Sequence, residues 1–320
     1  MTEKYTLIPH TDLSVSTINL GGNVFGWTSD EPTSFEVLDG FVAGGGTFID
    51  SSASYTGPVG GLSETIIGNW TAACGNRDKV VIATKVGAQP GRKNLEPANI
   101  AATVEESLTR LQTDYIDLYY AHFDDDYTPI EDIAAAFDAT VKSGKVRYIA
   151  MSNLSPARQR DWMLTAKREG LAAPVAIQPQ YSLVYRHEYE GPAETPKAGY
   201  RSVAEEFDLA VFSYWSLAAG LLTGKYSTAA DFENAPRAHS LKKYGTPEGL
   251  KLVGTLREVA DGLSAQPASV AIAWLLDKGI TAPIASARTP EQLPALFAAQ
   301  DLDLPAEAVA RLDEASQPFA

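Results

Sequence analysis

Asp50, Lys85 and His122 each close a short run of apolar and β-branched residues, and Ser152–Asn153, Gln178 and Tyr214–Trp215 close three more. A carboxylate, an ammonium, an imidazole, amides, hydroxyls and a phenol are groups that move protons or hold a polar ligand. A single Asp at the start of a loop is ordinarily a turn former or helix cap. Six successive runs ending this way form a candidate active site if the runs are strands whose ends converge. Metal chemistry has less to build on. The four histidines (His10, His122, His187 and His239) lack metal-ligand spacing, and the one cysteine, Cys74, leaves no CxxC pair, so no metal site is expected. Paired glutamates at run ends are missing too, which weighs against a metal- or carboxylate-dependent hydrolase.

The elements that must position these groups are eight runs at 16–20, 47–50, 80–85, 116–122, 146–153, 175–178, 209–214 and 281–284. Between them, apolar residues recur at helical spacing, as in Ile100, Val104, Leu108 and Leu111, and again in Ile130, Ile133, Phe137 and Val141. Strand alternating with helix implies right-handed crossovers and a parallel sheet. Eight such strands predict an α/β fold of the (β/α)8 barrel type, one domain over residues 1–320. A rule of ~150 residues per domain suggests two domains, but no linker divides the chain. Residues 4–15 read as an N-terminal β-hairpin turning at 10–12 and capping the bottom of the barrel. Residues 215–248, with Pro236, Gly245 and Pro247, read as a long helix-poor loop on the catalytic face. Extra helices are expected near 249–263 and 268–279, then near 290–299 and 305–315 after the eighth strand. Gly44, Gly45 and Gly46 precede the second strand and read as a turn, not a dinucleotide fingerprint.

Charge narrows the partners. Lys and Arg total 26 against 40 Asp and Glu, a formal charge of −14. That balance argues against nucleic acid or an anionic membrane as partner, since both need a basic face. It leaves room for a small anionic cofactor held by a few local donors. No apolar run approaches the ~18 residues of a membrane span, and MTEKYTLIPH lacks a signal-peptide pattern. A cytoplasmic location is the expectation; no oligomeric state is legible.

The stretches FIDSSASY (48–55), IATK (82–85), SLTRLQTDYIDLYYAH (107–122), SGKVRYIAMSN (143–153), QPQYSLVYR (178–186) and YWSLAAGLLTGKY (214–226) together resemble the aldo-keto reductases, from Leu20 almost to the C-terminus. The resemblance implies hydride exchange between a nicotinamide cofactor and a carbonyl/alcohol substrate. It casts Tyr55 as general acid, Lys85 as the ammonium lowering the phenol's pKa, Asp50 as the carboxylate holding Lys85, and His122 as the donor orienting the carbonyl oxygen. It gives Ser152, Asn153 and Gln178 the nicotinamide carboxamide, and Tyr214 the face of its ring. Ser216, Leu217, Gly220 and Lys225 fall where the family's loop covers the pyrophosphate. Ser286 and Arg288 match contacts to an adenosine 2′-phosphate and Gln292 lies toward adenine, so NADP(H) is expected, with NAD(H) as the alternative.

Two positions depart from the family pattern. Leu296 stands where an Asn commonly grips adenine, and Thr56, Gly57, Pro58, Val59, Gly60 and Gly61 lengthen the loop after Tyr55. Phe25, Trp27, Phe123 and Trp215 are expected to form an aromatic substrate pocket, suited to apolar or ring-bearing carbonyls or to sugars. Asp124, Asp125 and Asp126 read as a turn capping the helix at 129, with repulsion of anionic substrates as the alternative. A carbonyl reductase is the leading function; a cofactor-binding regulatory subunit of the same fold, such as the channel β subunits, is the other.

Overall fold

The computed structural model describes residues 3–320 apart from 193, 194, 196, 197, 234 and 236. Two short strands, β1 (Tyr5–Leu7) and β2 (Ser14–Ser16), form the antiparallel hairpin, with His10 at a left-handed φ of 64° in its turn. Eight parallel strands follow: β3 (Asn19–Gly21), β4 (Phe48–Asp50), β5 (Val81–Val86), β6 (Ile116–Ala121), β7 (Val146–Ser152), β8 (Ala176–Gln178), β9 (Ala210–Val211) and β10 (Ile284–Ala285). They pair in chain order from β3 to β9, and β10 pairs with β3. The Thr281 amide donates to the Val211 carbonyl at 2.9 Å and the Ile284 amide to that of Ser213 at 2.8 Å, which closes the sheet into a barrel.

Helices α1 (Glu31–Ala43), α2 (Leu62–Cys74), α3 (Pro97–Leu111), α4 (Ile130–Lys142) and α5 (Pro156–Glu169) connect the first six barrel strands. The short α6 (His187–Glu190) and α7 (Tyr200–Phe207) precede β9. After it come α8 (Ala238–Tyr244), α9 (Pro247–Gly262) and α10 (Pro267–Asp277), and after β10 come α11 (Leu293–Phe297) and α12 (Ala306–Ala315). In α3 the period read from the sequence is the buried face: Ile100, Val104, Leu108 and Leu111 all face the sheet. Proline opens α3, α5, α9 and α10, where its missing N–H is one the helix start leaves unbonded anyway.

Inside the barrel, Phe48, Leu118, Tyr120 and Phe212 alternate with Ala83, Ala150, Ala176, Ala210 and Ala282 to fill the core. Ile8, Leu13 and Val15 from the hairpin join this cluster, so the hairpin plugs the barrel's N-terminal end. Three strand bounds shift from the sequence reading. Ser16 pairs with Tyr5 in the hairpin, so the first barrel strand starts at Asn19. The seventh shrinks to two residues because its neighbour ends against Pro179, which has no N–H to continue the ladder, though Tyr214 still donates to its carbonyl at 3.0 Å. Pro283 delays the eighth to Ile284 for the same reason. The stretch 215–248 holds more helix than expected: α8 and 3₁₀ turns at Ala218–Thr223 and Ala229–Phe232. Pro236 lies outside the described residues.

Candidate active site

Strand register brings the polar ends together. Asp50 sits beside Ala83, Lys85 beside Tyr120 and Ser152 beside Gln178, and the His122 amide extends the ladder by donating to the Val86 carbonyl at 2.8 Å. Lys85 is fully buried. Its Nζ donates to Asp50 Oδ2 at 2.5 Å and to the Ser51 carbonyl at 2.6 Å, and lies 3.4 Å from Tyr55 Oη. The other Asp50 oxygen accepts from Gln178 Nε2 at 2.9 Å, so both carboxylate oxygens are held. The Tyr55 and His122 rings stand edge to face with centroids 5.8 Å apart.

Burial sets the protonation states. It pushes the Tyr55 phenol well above its usual value; the Asp50 carboxylate adds to the rise and the Arg237 guanidinium opposes it. The net shift is upward, so burial outweighs any lowering by the Lys85 ammonium 3.4 Å away. Lys85 itself is lowered by burial, which the Asp50 charge and hydrogen bond, and then the Glu64 charge, counter. His122 is driven well below the usual histidine value by burial and then by Lys85, so it is a neutral imidazole at neutral pH.

Ser52 anchors the His122 ring. Its Oγ lies 3.0 Å from Nδ1 and 2.9 Å from Ser54 Oγ, and accepts from the Ser54 amide at 3.2 Å. Ser52→Ala should lower kcat roughly five- to tenfold, the worth of about one neutral hydrogen bond. Steady-state kinetics check it, and an unchanged kcat would dismiss the role.

A cleft of about 1020 Å³ opens over these groups, at the upper end for a small-molecule site. Ser152, Asn153, Gln178, Tyr214, Trp215, Ser216, Leu217, Gly220, Lys225, Ser286, Arg288 and Gln292 all line it. A chain of hydrogen bonds orders one wall. Tyr214 Oη donates to Asn153 Oδ1 at 2.7 Å, Asn153 Nδ2 to the His122 carbonyl at 2.8 Å, and Ser152 Oγ to the Gln178 carbonyl at 2.8 Å. Trp215, Ala218, Ala219 and Gly220 all have left-handed φ, from 46° to 94°. The Ala218 and Gly220 amides donate inside this turn, to the Trp215 and Leu217 carbonyls at 2.7 and 2.8 Å. Gly21 is required here, because a Cβ would lie 2.6 Å from Ser286 Oγ.

Three cations border this side of the cleft without a carboxylate partner among the described residues: Lys225, Arg288 and Arg237. Sequence reasoning missed Arg237. It follows two 3₁₀ turns in a stretch without apolar period, and only the folded loop brings it between the Trp27 and Trp215 rings, 5.4 and 5.5 Å from their centroids. Its Nη2 donates to Asn23 Oδ1 at 3.2 Å, which also accepts from Ser286 Oγ at 2.8 Å. Ser52 was likewise passed over, although it stands inside FIDSSASY.

The aromatic pocket needs correction. Phe25 is wholly buried in the outer core, because the tight turn joining it to Gly22 and the Gly26–Ser29 bond tuck its ring inward. Trp27 stands half exposed on the rim against Arg237, beside a smaller groove with Leu62 and Asn69. Phe123 and Trp215 do line the cleft. Asp125 caps the turn, accepting from the Leu95 and Thr128 amides at 2.7 and 2.9 Å, and Asp124 pairs with Arg158 at 2.7 Å. Leu296 is buried at the cleft's far end. Among the described residues no cluster of three metal-ligating side chains occurs, and no single helix is long and apolar enough to cross a membrane.

Comparison with known proteins agrees with this geometry. The family model described as the aldo/keto reductase family matches residues 17–317. The chain is 34% identical to "Uncharacterized oxidoreductase YrpG" of Bacillus subtilis (strain 168), over 97% of this chain and 95% of that protein. It is 34% identical to "Aldo-keto reductase YhdN" of the same organism, over 92% and 87%. It is 33% identical to "Aldo-keto reductase yakc [NADP(+)]" of Schizosaccharomyces pombe (strain 972 / ATCC 24843), over 73% and 68%. With the barrel, the converging strand ends and a match across nearly its whole length, this chain belongs to the aldo/keto reductase family of oxidoreductases.

Proposed function

We propose that the protein reduces aldehydes or ketones to alcohols, reversibly, with NADP(H) as its preferred cofactor. The observation that carries this reading is one cleft holding a protonated, half-buried Tyr55 beside the Asp50–Lys85 pair and a neutral His122, with three unmatched cations along its other side. The donor set suits a dinucleotide with several phosphate charges. Lys225 and Arg237 would hold the pyrophosphate, Ser286 and Arg288 the 2′-phosphate, and Asn153 and Gln178 the carboxamide.

When bound, the nicotinamide supplies the hydride that adds to the carbonyl carbon. Tyr55 Oη gives its proton to the carbonyl oxygen, and in the alcohol-oxidising direction takes it back. His122 Nε2–H donates to the same oxygen, so a substrate is aligned before any proton moves. The Lys85 ammonium stabilises the phenolate left behind, and its own charge is held by Asp50. Phe123 and Trp215 form part of the cleft wall around the reacting atoms.

Loss of NADPH absorbance with a panel of simple aldehydes and ketones tests the proposal. Steady turnover supports the reductase, whereas tight cofactor binding without turnover of any carbonyl would assign the protein to the regulatory-subunit reading. Arg288→Ala should weaken NADPH by roughly ten- to a hundredfold, the worth of about 1.5–3 kcal/mol for a charge-assisted contact. It should change NADH much less. Titrations of both cofactors measure it, and equal losses would remove the 2′-phosphate role.

A further inference from the structure

The cations around the cleft are not all on one side. Lys225 and Arg237 follow β9 and Arg288 follows β10, the seventh and eighth strands of the barrel. Lys93 follows β5, the third strand, and the third and seventh strands of an eight-strand barrel lie across its mouth from one another. Lys93 lines the same cleft, exposed, and has no carboxylate partner among the described residues. Its position therefore puts a positive charge on the side facing away from the groups assigned to the cofactor's phosphates.

Of the carboxylates in that sector only Asp124 lines the cleft, while Glu96 and Asp126 are exposed outside it. Glu106 accepts from Arg92 at 2.5 Å and lies 3.6 Å from Arg110; Asp124 is paired with Arg158, and Asp125 is bonded into its turn. Among the described residues, Lys93 is therefore the one charge of that sector that lines the cleft without an ion-pair partner, in a chain of net −14. Apolar residues line the cleft in the same sector: Ala88, Pro90 and Phe123. Phe123 is half exposed with its ring 4.8 Å from that of His122.

We infer that the preferred substrates are carbonyl compounds bearing an anionic group, a carboxylate in the simplest case, on an apolar spacer that crosses Phe123 and brings the anion to Lys93. The inference rests on the reductase reading and refines it. An exposed pair of this kind is worth at most about a fivefold preference, and salt should shrink it.

The test compares 4-formylbenzoate with its neutral methyl ester, in the NADPH-loaded wild-type enzyme and in Lys93→Gln and Lys93→Glu. The wild type is expected to favour the carboxylate by about fivefold in kcat/KM, mainly through KM. The ratio should fall to about one in Lys93→Gln, drop below one in Lys93→Glu, and decline in the wild type as salt rises. A wild-type ratio of one or less, or a ratio that survives both substitutions, overturns the inference while turnover of the ester upholds the reductase. If neither aldehyde turns over although NADPH fluorescence shows the cofactor bound, both readings fall together.

Discussion

Tyr55→Phe should cut kcat by roughly 10²–10⁴ while the cofactor still binds as in the wild type. The phenol is the one acidic proton placed between the Lys85 ammonium and the His122 ring, 3.4 Å from the former. Phenylalanine keeps the ring and removes that proton. The hydroxyl's long contact to Lys85 contributes about 1 kcal/mol or less to stability, so lost turnover would not be lost fold. Stopped-flow hydride transfer and thermal melting separate the two, and near-normal turnover in a folded variant would remove Tyr55 from the mechanism. The pH dependence follows from the direction of the shift. An acid catalyst works protonated, and burial raises this phenol above its usual value, so the reductive rate should stay flat from about pH 6 to about pH 9. Alcohol oxidation needs the phenolate and should rise across the same window. A tenfold fall of the reductive rate within it would mean that a group other than Tyr55 gives the proton.

The barrel and its converging strand ends were legible because both are periodic consequences of local sequence. Each apolar run that ends in a polar residue can be read without a partner, and parallel pairing then aligns those ends automatically, as Asp50, Lys85, Ser152 and Gln178 are aligned here. The features that escaped depend on contacts distant in sequence. Phe25 and Trp27 look equivalent in the chain, yet one turn buries the first and leaves the second on the rim. Arg237 follows an irregular stretch and acquires its place from Trp27, more than two hundred residues earlier, and from Trp215. The phenol's pKa was misread for a related reason. Spacing put an ammonium near Tyr55, but only packing shows that burial outweighs it.

Asp50→Asn should destabilise the protein by about 3–5 kcal/mol, because it leaves a buried ammonium without its counter-charge. At roughly 2 °C per kcal/mol for a chain of this size, the melting temperature should fall by about 6–10 °C. Lys85 has no exposure to water and already has a lowered pKa; removing the carboxylate that opposes the lowering drives it further down. A lysine with a folded pKa below its unfolded value binds fewer protons folded than unfolded, so stability rises with pH between the two values. The deficit of Asp50→Asn should therefore shrink as pH climbs toward about 10.4, the unfolded lysine's value. Asp50→Asn/Lys85→Met removes both charges and should regain much of the lost stability, since an apolar replacement of a buried pair is often neutral or better. It should regain no activity: without the ammonium nothing stabilises the Tyr55 phenolate left by proton transfer. Melting curves across pH, together with kcat for both variants, check the whole set. If the double variant is as unstable as the single one, the Asp50–Gln178 bond at 2.9 Å, and not the charge on Lys85, is what the fold requires.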